Sequence, residues 1–293
     1  MHIPVMLKEV LEVLAPKPGG IYIDATVGLG GHAKAIADRI SPRGLLIGID
    51  RDEKALRIAA DILKDYNVKL LQGNFRNIDE LVNRDFVGKV DGVLFDLGVS
   101  SLQLEDSERG FSFLKNGPLD MRMGSDASLR AVDIVNRLSI EELVKIFKEY
   151  GEERNAYIIA KAIVDRRVKK PIETTSELVE IIRNTLPKPV QRKMGKHPAR
   201  KVFQALRIAV NEELDCLERG LNKAFKFLKV GGILCVISYH SLEDRIVKEF
   251  VKKLRESGEG EPLFKKVLRP AKEEVIHNPR SRSAKLRAVR RVK

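Results

Sequence analysis

At 293 residues with 43% apolar side chains, the chain is long enough for one large or two ordinary domains and can bury a real core. No stretch approaches the roughly 18 uninterrupted apolar residues of a membrane span, and no basic N-terminal region leads into an apolar run, so the cytoplasm is the expected location. Two cysteines and five dispersed histidines show no metal-ligand spacing, which argues against a disulfide framework and against a metal site. Lys and Arg outnumber Asp and Glu by 54 to 41, and that surplus bears on partners below.

In chain order, the first apolar strand is Ile21 to Asp24. It runs into Ala25-Thr26-Val27-Gly28-Leu29-Gly30-Gly31-His32 and then into a helical pattern from Ala33 to Ile40. Glycines there allow positive φ, keep side chains away from a ligand and lead into the unpaired N–H groups of a helix start. The spacing departs from the dinucleotide fingerprint G-x-G-x-x-G. It looks more like the D/E-x-G-x-G-x-G of S-adenosylmethionine-dependent methyltransferases, with Thr26 in place of the first glycine. A plain strand-to-helix turn is the competing reading.

A second strand, Leu45 to Asp50, ends in an acid where a doubly wound fold places its ribose-binding carboxylate. Asp50 is therefore the candidate for ribose hydroxyls. A third, Val68 to Gln72, leads into Gly73-Asn74-Phe75, whose ring can pack on an adenine or simply join the core. A fourth, Val90 to Asp96, runs into Leu97-Gly98-Val99-Ser100-Ser101. Four strands ending in polar or glycine residues predict one carboxyl edge of a parallel sheet, where open α/β sheets bind ligands.

From about residue 105 to 200 the alternation stops. Glu141 to Tyr150, Arg154 to Val168 and Thr175 to Asn184 carry helical periodicity, broken by prolines. This predicts a helical domain (105–200) inserted into a discontinuous sheet domain (1–104 and 201–293), the insert serving substrate recognition. Apolar residues from Phe203 to Leu228 then recur at steps of three or four as one long helical stripe, with Gly231-Gly232 ending it. Ile233 to Tyr239 reads as a buried strand and Glu243 to Arg255 as an amphipathic helix. The expected fold is α/β, a Rossmann-like sheet with an all-helical insert. Cys216 and Cys235 read as small core residues.

Two segments, Lys188 to Arg207 and His277 to Lys293, each hold seven basic residues and no acid. Such blocks contact phosphate backbones, although a highly charged thermophile surface looks similar.

Several motifs coincide: His2-Ile-Pro-Val, Asp24 to His32, Phe95-Asp-Leu-Gly-Val-Ser-Ser-Leu-Gln103, Arg109-Gly-Phe-Ser-Phe113, Gly117-Pro-Leu-Asp-Met-Arg-Met123 and His197-Pro-Ala-Arg200. They continue with Phe203-Gln-Ala-Leu-Arg-Ile208, Ile237-Ser-Tyr-His-Ser-Leu-Glu-Asp-Arg245 and Asn278-Pro-Arg-Ser-Arg-Ser-Ala-Lys-Leu-Arg287. Together, and over almost the whole chain, they resemble the MraW (RsmH) family of bacterial ribosomal RNA methyltransferases. The resemblance implies a class I methyltransferase that uses S-adenosylmethionine to methylate the exocyclic N4 of a cytidine in 16S rRNA, near the decoding centre of the small ribosomal subunit. It also implies that Gly30, Gly31, His32, Asp50, Phe75, Asp96 and Gln103 contact the cofactor. Tyr239 stands where many members have Phe, and Ser281 where Ala is common.

Methylating an amine calls for alignment, exclusion of water and an acceptor for the amine proton, with no metal or covalent nucleophile. Asp96 is placed to be that acceptor. Arg109, Asp120, His240 and Ser241 are candidates for the substrate side. No cysteine follows the fourth strand, which argues against C5-cytosine chemistry. Three rival readings are a nicotinamide-dependent dehydrogenase, a methyltransferase acting on a protein or small molecule, and a non-enzymatic RNA-binding module. The sequence leaves open monomer or homodimer, free rRNA or assembled subunit, and whether the basic C-terminal segment is ordered without RNA.

Overall fold

The computed structural model describes residues 3–194 and 196–293. His2, which opens the first family motif, lies outside the described residues. The chain divides into two compact units, Met1–Gly98 with Leu214–Lys293, and Val99–Glu213.

The first unit begins with α1 (Leu7–Leu14), β1 (Ile21–Asp24), α2 (Gly31–Ile40), β2 (Leu45–Asp50), α3 (Glu53–Leu63), β3 (Val68–Gln72), α4 (Ile78–Leu81) and β4 (Val90–Asp96). The second contains α5 (Ser101–Glu105), α6 (Ala131–Arg137), α7 (Ile140–Glu149), α8 (Ala156–Lys169), α9 (Thr175–Thr185), α10 (Lys188–Lys193) and α11 (Arg200–Asn211). The chain then returns through α12 (Glu213–Phe227), β5 (Leu228–Ser238), α13 (Ser241–Glu256), β6 (Gly260–Pro262), α14 (Lys272–His277) and β7 (Lys285–Arg291).

Among the described residues the strands form one sheet in the order β3-β2-β1-β4-β5-β7-β6. Strands β1 to β5 run parallel, while β7 is antiparallel to both β5 and β6. This is the Rossmann-like α/β sheet of the sequence reading, extended by an antiparallel pair. Successive strand residues point to opposite faces, so Leu46, Leu94 and Cys235 enter one apolar cluster and Ile47, Phe95 and Val236 the other. Both faces are covered, which is why these strands read as continuous apolar runs. Cys216 and Cys235 are buried thiols.

The second unit packs its helices around its own core, centred on the fully buried Leu143, Phe147, Ile159, Ile163, Leu178 and Leu206. Helices α7 and α9 each start with a complete capping box, Ser139 with Glu142 and Thr174 with Glu177.

The structure corrects two expectations. The apolar stripe from Phe203 to Leu228 is two helices, because Glu212 adopts φ 51° and breaks the ladder between α11 and α12. Periodicity survives such a break, so the sequence hid it. Gly231-Gly232 does not precede the strand but lies inside β5, where Gly231 takes φ 84° and the register with β4 shifts. Within the basic C-terminal segment, whose order the sequence leaves open, Lys285–Arg291 forms strand β7. The chain passes between the two units after Gly98 and after Glu213. Helix α11 belongs with the insert because Val202, Phe203, Ala205 and Leu206 bury into its core.

Candidate active site

Because β1 to β5 are parallel, Asp24, Asp50, Gln72, Asp96 and Ser238 all end at one sheet edge. Loop 25–30 is stitched to that edge by its backbone. Ala25 N–H donates to Leu94 O at 2.9 Å, Val27 N–H to Ile49 O at 2.9 Å and Gly28 N–H to Asp50 Oδ2 at 2.8 Å. Thr26 explains its own departure from the generic glycine pattern. Its hydroxyl oxygen accepts from Asp96 N–H at 2.7 Å and also bonds to the Asp24 carboxylate, tying β1 to β4.

Gly28 and Gly30 both take positive φ, 50° and 84°. A Cβ built on Gly28 would meet one atom within 4 Å, Thr26 O at 3.8 Å, so the loop leaves an open cradle there. Helix α2 starts at Gly31 without a side-chain cap, and the N–H groups of its first turn suit a polar ligand. Pro4 lies against Gly31, where a Cβ would come within 2.6 Å of its Cγ.

Asp24, Asp50 and Asp96 converge here, and burial raises the first two. Asp24, 1% exposed, is pushed up to about 7 by desolvation, against the Thr26 N–H bond, with the Asp96 and Asp50 charges raising it further. Burial also raises Asp50, while N–H groups of Asp52, Gly28 and Arg51 oppose the shift. An ionised carboxylate offers about four lone-pair sites, so Asp50 keeps capacity for a ligand hydroxyl.

Asp96 is held from both sides. Tyr239 O–H donates to Oδ1 at 2.7 Å, and His32 Nδ1 lies 3.5 Å from Oδ2. His32 is buried, with Nε2 2.9 Å from Val5 O; facing a carbonyl, that nitrogen must be the donor. The Tyr239 phenol lies well above its ordinary range, through burial and the Asp96 charge.

Gly30, Gly31, His32, Asp50, Phe75 and Asp96 thus all belong to the sheet unit. Phe75 is half-buried, its ring edge-on to Phe95 with centroids 5.3 Å apart. Gln103 falls in the helical unit, where its Oε1 accepts from Ser100 N–H in a capping box. Arg109 donates to the carbonyls of Arg122 and Met123, and Asp120 pairs with Arg122 at 2.7 Å, so both brace the loop before α6. His240 caps α13, and Ser241 is the first residue of that helix. The basic blocks lie in separate units and are partly consumed by acids: Arg207 pairs with Glu213, and Lys285 and Arg287 both pair with Asp244. Sequence reading marks Thr26 and Tyr239 only as departures from the glycine pattern and from the family's Phe, and gives neither hydroxyl the contact it makes here.

This edge occurs in a chain that matches the model of the MraW methylase family over residues 1–292. The chain belongs to the MraW methylase family. Its similarity to known members runs end to end. It is 50% identical over 307 aligned positions to Ribosomal RNA small subunit methyltransferase H of Caldicellulosiruptor bescii, covering 99% of each chain. It is 49% identical to the protein of the same name from Halothermothrix orenii, covering 99% of this chain and 98% of that one. Among solved structures, an rRNA methylase from Streptococcus thermophilus aligns over 100% of both chains with TM-score 0.48 and 14% identity. Fibrillarin of Aeropyrum pernix, with S-adenosyl-L-methionine natively bound, aligns over 96% of this chain and 74% of its own with TM-score 0.39 and 14% identity. MraW membership makes methyl transfer the chemistry for which this edge is judged.

Proposed function

We propose that this protein methylates the exocyclic N4 of a cytidine in 16S rRNA, near the decoding centre of the small ribosomal subunit, using S-adenosylmethionine. The observation that carries the reading is Asp96, a carboxylate at the end of β4 with one oxygen on Tyr239 and the other facing His32, beside the open glycine cradle. Family membership and the relatives' names support RNA as the substrate.

The residues present fit the cofactor. The Gly28 cradle is open, Asp50 retains acceptor capacity for ribose hydroxyls, and Phe75 offers an apolar face beyond β3 for an adenine. Backbone groups of Gly30, Gly31 and His32 line the start of α2. The cofactor supplies an electrophilic methyl group. The protein's task is then to hold the amine in line, exclude water and accept a hydrogen bond as the amine becomes ammonium-like. Asp96 performs the last of these. The helical unit, 99–213, serves substrate recognition, and the two basic blocks engage phosphates. A target base in structured RNA must leave its stack to be reached. The protein acts in the cytoplasm.

The test incubates the protein with methyl-labelled S-adenosylmethionine and either small subunits or naked 16S rRNA lacking the modification, followed by digestion to nucleosides. Label in N4-methylcytidine is the expected result, and the better substrate identifies the stage of assembly. Tight cofactor binding with no label in either RNA overturns the acceptor and redirects the search to proteins or metabolites.

A further inference from the structure

We propose that Tyr239 is a positioning residue for the transfer step, its hydroxyl fixing the Asp96 carboxylate so that it stays ionised and oriented at the end of β4. The inference rests on Asp96 acting as acceptor for the amine. It adds a group whose hydroxyl is a feature of this chain's own sequence, Ile237-Ser-Tyr-His-Ser.

The geometry is specific. The hydroxyl reaches Asp96 Oδ1 at 2.7 Å, the length expected of a hydroxyl donating to a carboxylate. The Tyr239 ring packs under the turn that follows Asp96. Gly98, at φ 102°, brings its Cα so close that an added Cβ would lie 3.2 Å from Tyr239 Cδ2. Tyr239 is itself pinned, because its N–H donates to Glu243 Oε2 at 2.7 Å and Glu243 also closes the N-terminus of α13. The phenol therefore cannot follow the carboxylate if Asp96 rotates. It defines one rotamer.

Charged and titratable groups face Asp96 from each neighbouring element: His32 from α2, Asp24 from β1, and Tyr239 and Cys235 from β5 and its end. Asp24 repels the Asp96 charge. Cys235 is a thiol pushed upward by burial and carries no charge to help. The Tyr239 hydroxyl donates to the anion and so stabilises it. Facing Tyr239 in turn are Asp96, Glu243 and Glu274, all acids, which keep its proton on the phenol and available to donate.

A donor bonded to the charged form lowers a carboxylate's pKa, so removing it raises that pKa. Tyr239→Phe keeps the ring and its packing on Gly98 while deleting only the hydroxyl. The acid limb of kcat for methylation of unmodified small subunits should move to higher pH by about one unit. Well below the wild-type midpoint of that limb kcat should fall by up to about tenfold, with much less loss well above it. Binding of S-adenosylhomocysteine, read by calorimetry on the same preparations, should stay within about twofold of wild type. A superimposable pH profile overturns the inference. So does an affinity loss that tracks the loss of kcat, since Tyr239 would then shape the cofactor pocket. Absence of RNA methylation by the wild-type protein instead defeats the underlying functional reading.

Discussion

Two carboxylates of this chain show how differently its two units treat charge. Asp24, at the carboxyl edge of the sheet, is held at about 7, whereas Glu177, in the capping box of α9, is held at about 2. Glu177 accepts from Glu173 N–H at 2.9 Å and Thr174 N–H at 3.0 Å, and pairs with Lys170 at 3.1 Å. Asp24 has Thr26 as its partner and two further acids nearby. The helical unit uses polar side chains to close its own helices. The sheet unit leaves α2 uncapped and crowds three acids where a ligand would sit, and unrelieved electrostatics of this kind marks functional sites.

The comparison is broken most directly at Asp96. Asp96→Ala should lower kcat by about 10²- to 10⁴-fold with cofactor affinity retained. Equal loss of both, by rapid quench and calorimetry, would make Asp96 a cofactor contact and no more. In the helical unit the largest effect should come from packing. Phe147→Ala, at a fully buried position, should cost about 3–5 kcal/mol in urea unfolding with no change in the acid limb of activity.

Titration sharpens the contrast. Asp24 has its folded pKa raised from 3.8, so the stability its protonated form contributes is complete below about pH 4 and is lost as pH rises towards 7. Relative to Asp24→Asn, the wild type should lose about 1.4 kcal/mol per pH unit across that window. Glu177 has the opposite sign. Its contribution is present above 4.5 and lost as pH falls towards 2, so Glu177→Gln should flatten acid unfolding. A shared slope for both variants would show that the two environments are alike after all. The smallest expected effect is Thr174→Ala, about 1 kcal/mol from one lost cap.

The parallel strands were legible because buried strands are continuous apolar runs closed by acids or glycines, and Asp24, Asp50 and Asp96 each mark such an end. The insert was legible from its helical period. What escaped was local geometry that the pattern does not encode. Glu212 breaks a helix through its backbone angle alone, leaving the apolar spacing intact. Strand β7 was masked by its arginines, because an antiparallel strand late in a sheet alternates basic and apolar residues and resembles a charged tail. Thr26 looked like an imperfect match, yet its hydroxyl joins two strand ends in a way that glycine could not. Gln103 was named from family resemblance and Phe75 also from its place after the third strand, and the side-chain bond of the first and the ring contact of the second became visible only in three dimensions.

The position of β5 has a consequence in time. Its parallel partner β4 ends at Asp96, and residues 99–213 intervene before β5 begins. During synthesis the first four strands therefore emerge with an unsatisfied edge, while the helical unit, whose core contacts are all its own, can already condense. The order of emergence thus delays assembly of the Asp96 and Tyr239 pair until the insert has been made, so the newborn chain holds the helical unit before the two strand ends can meet.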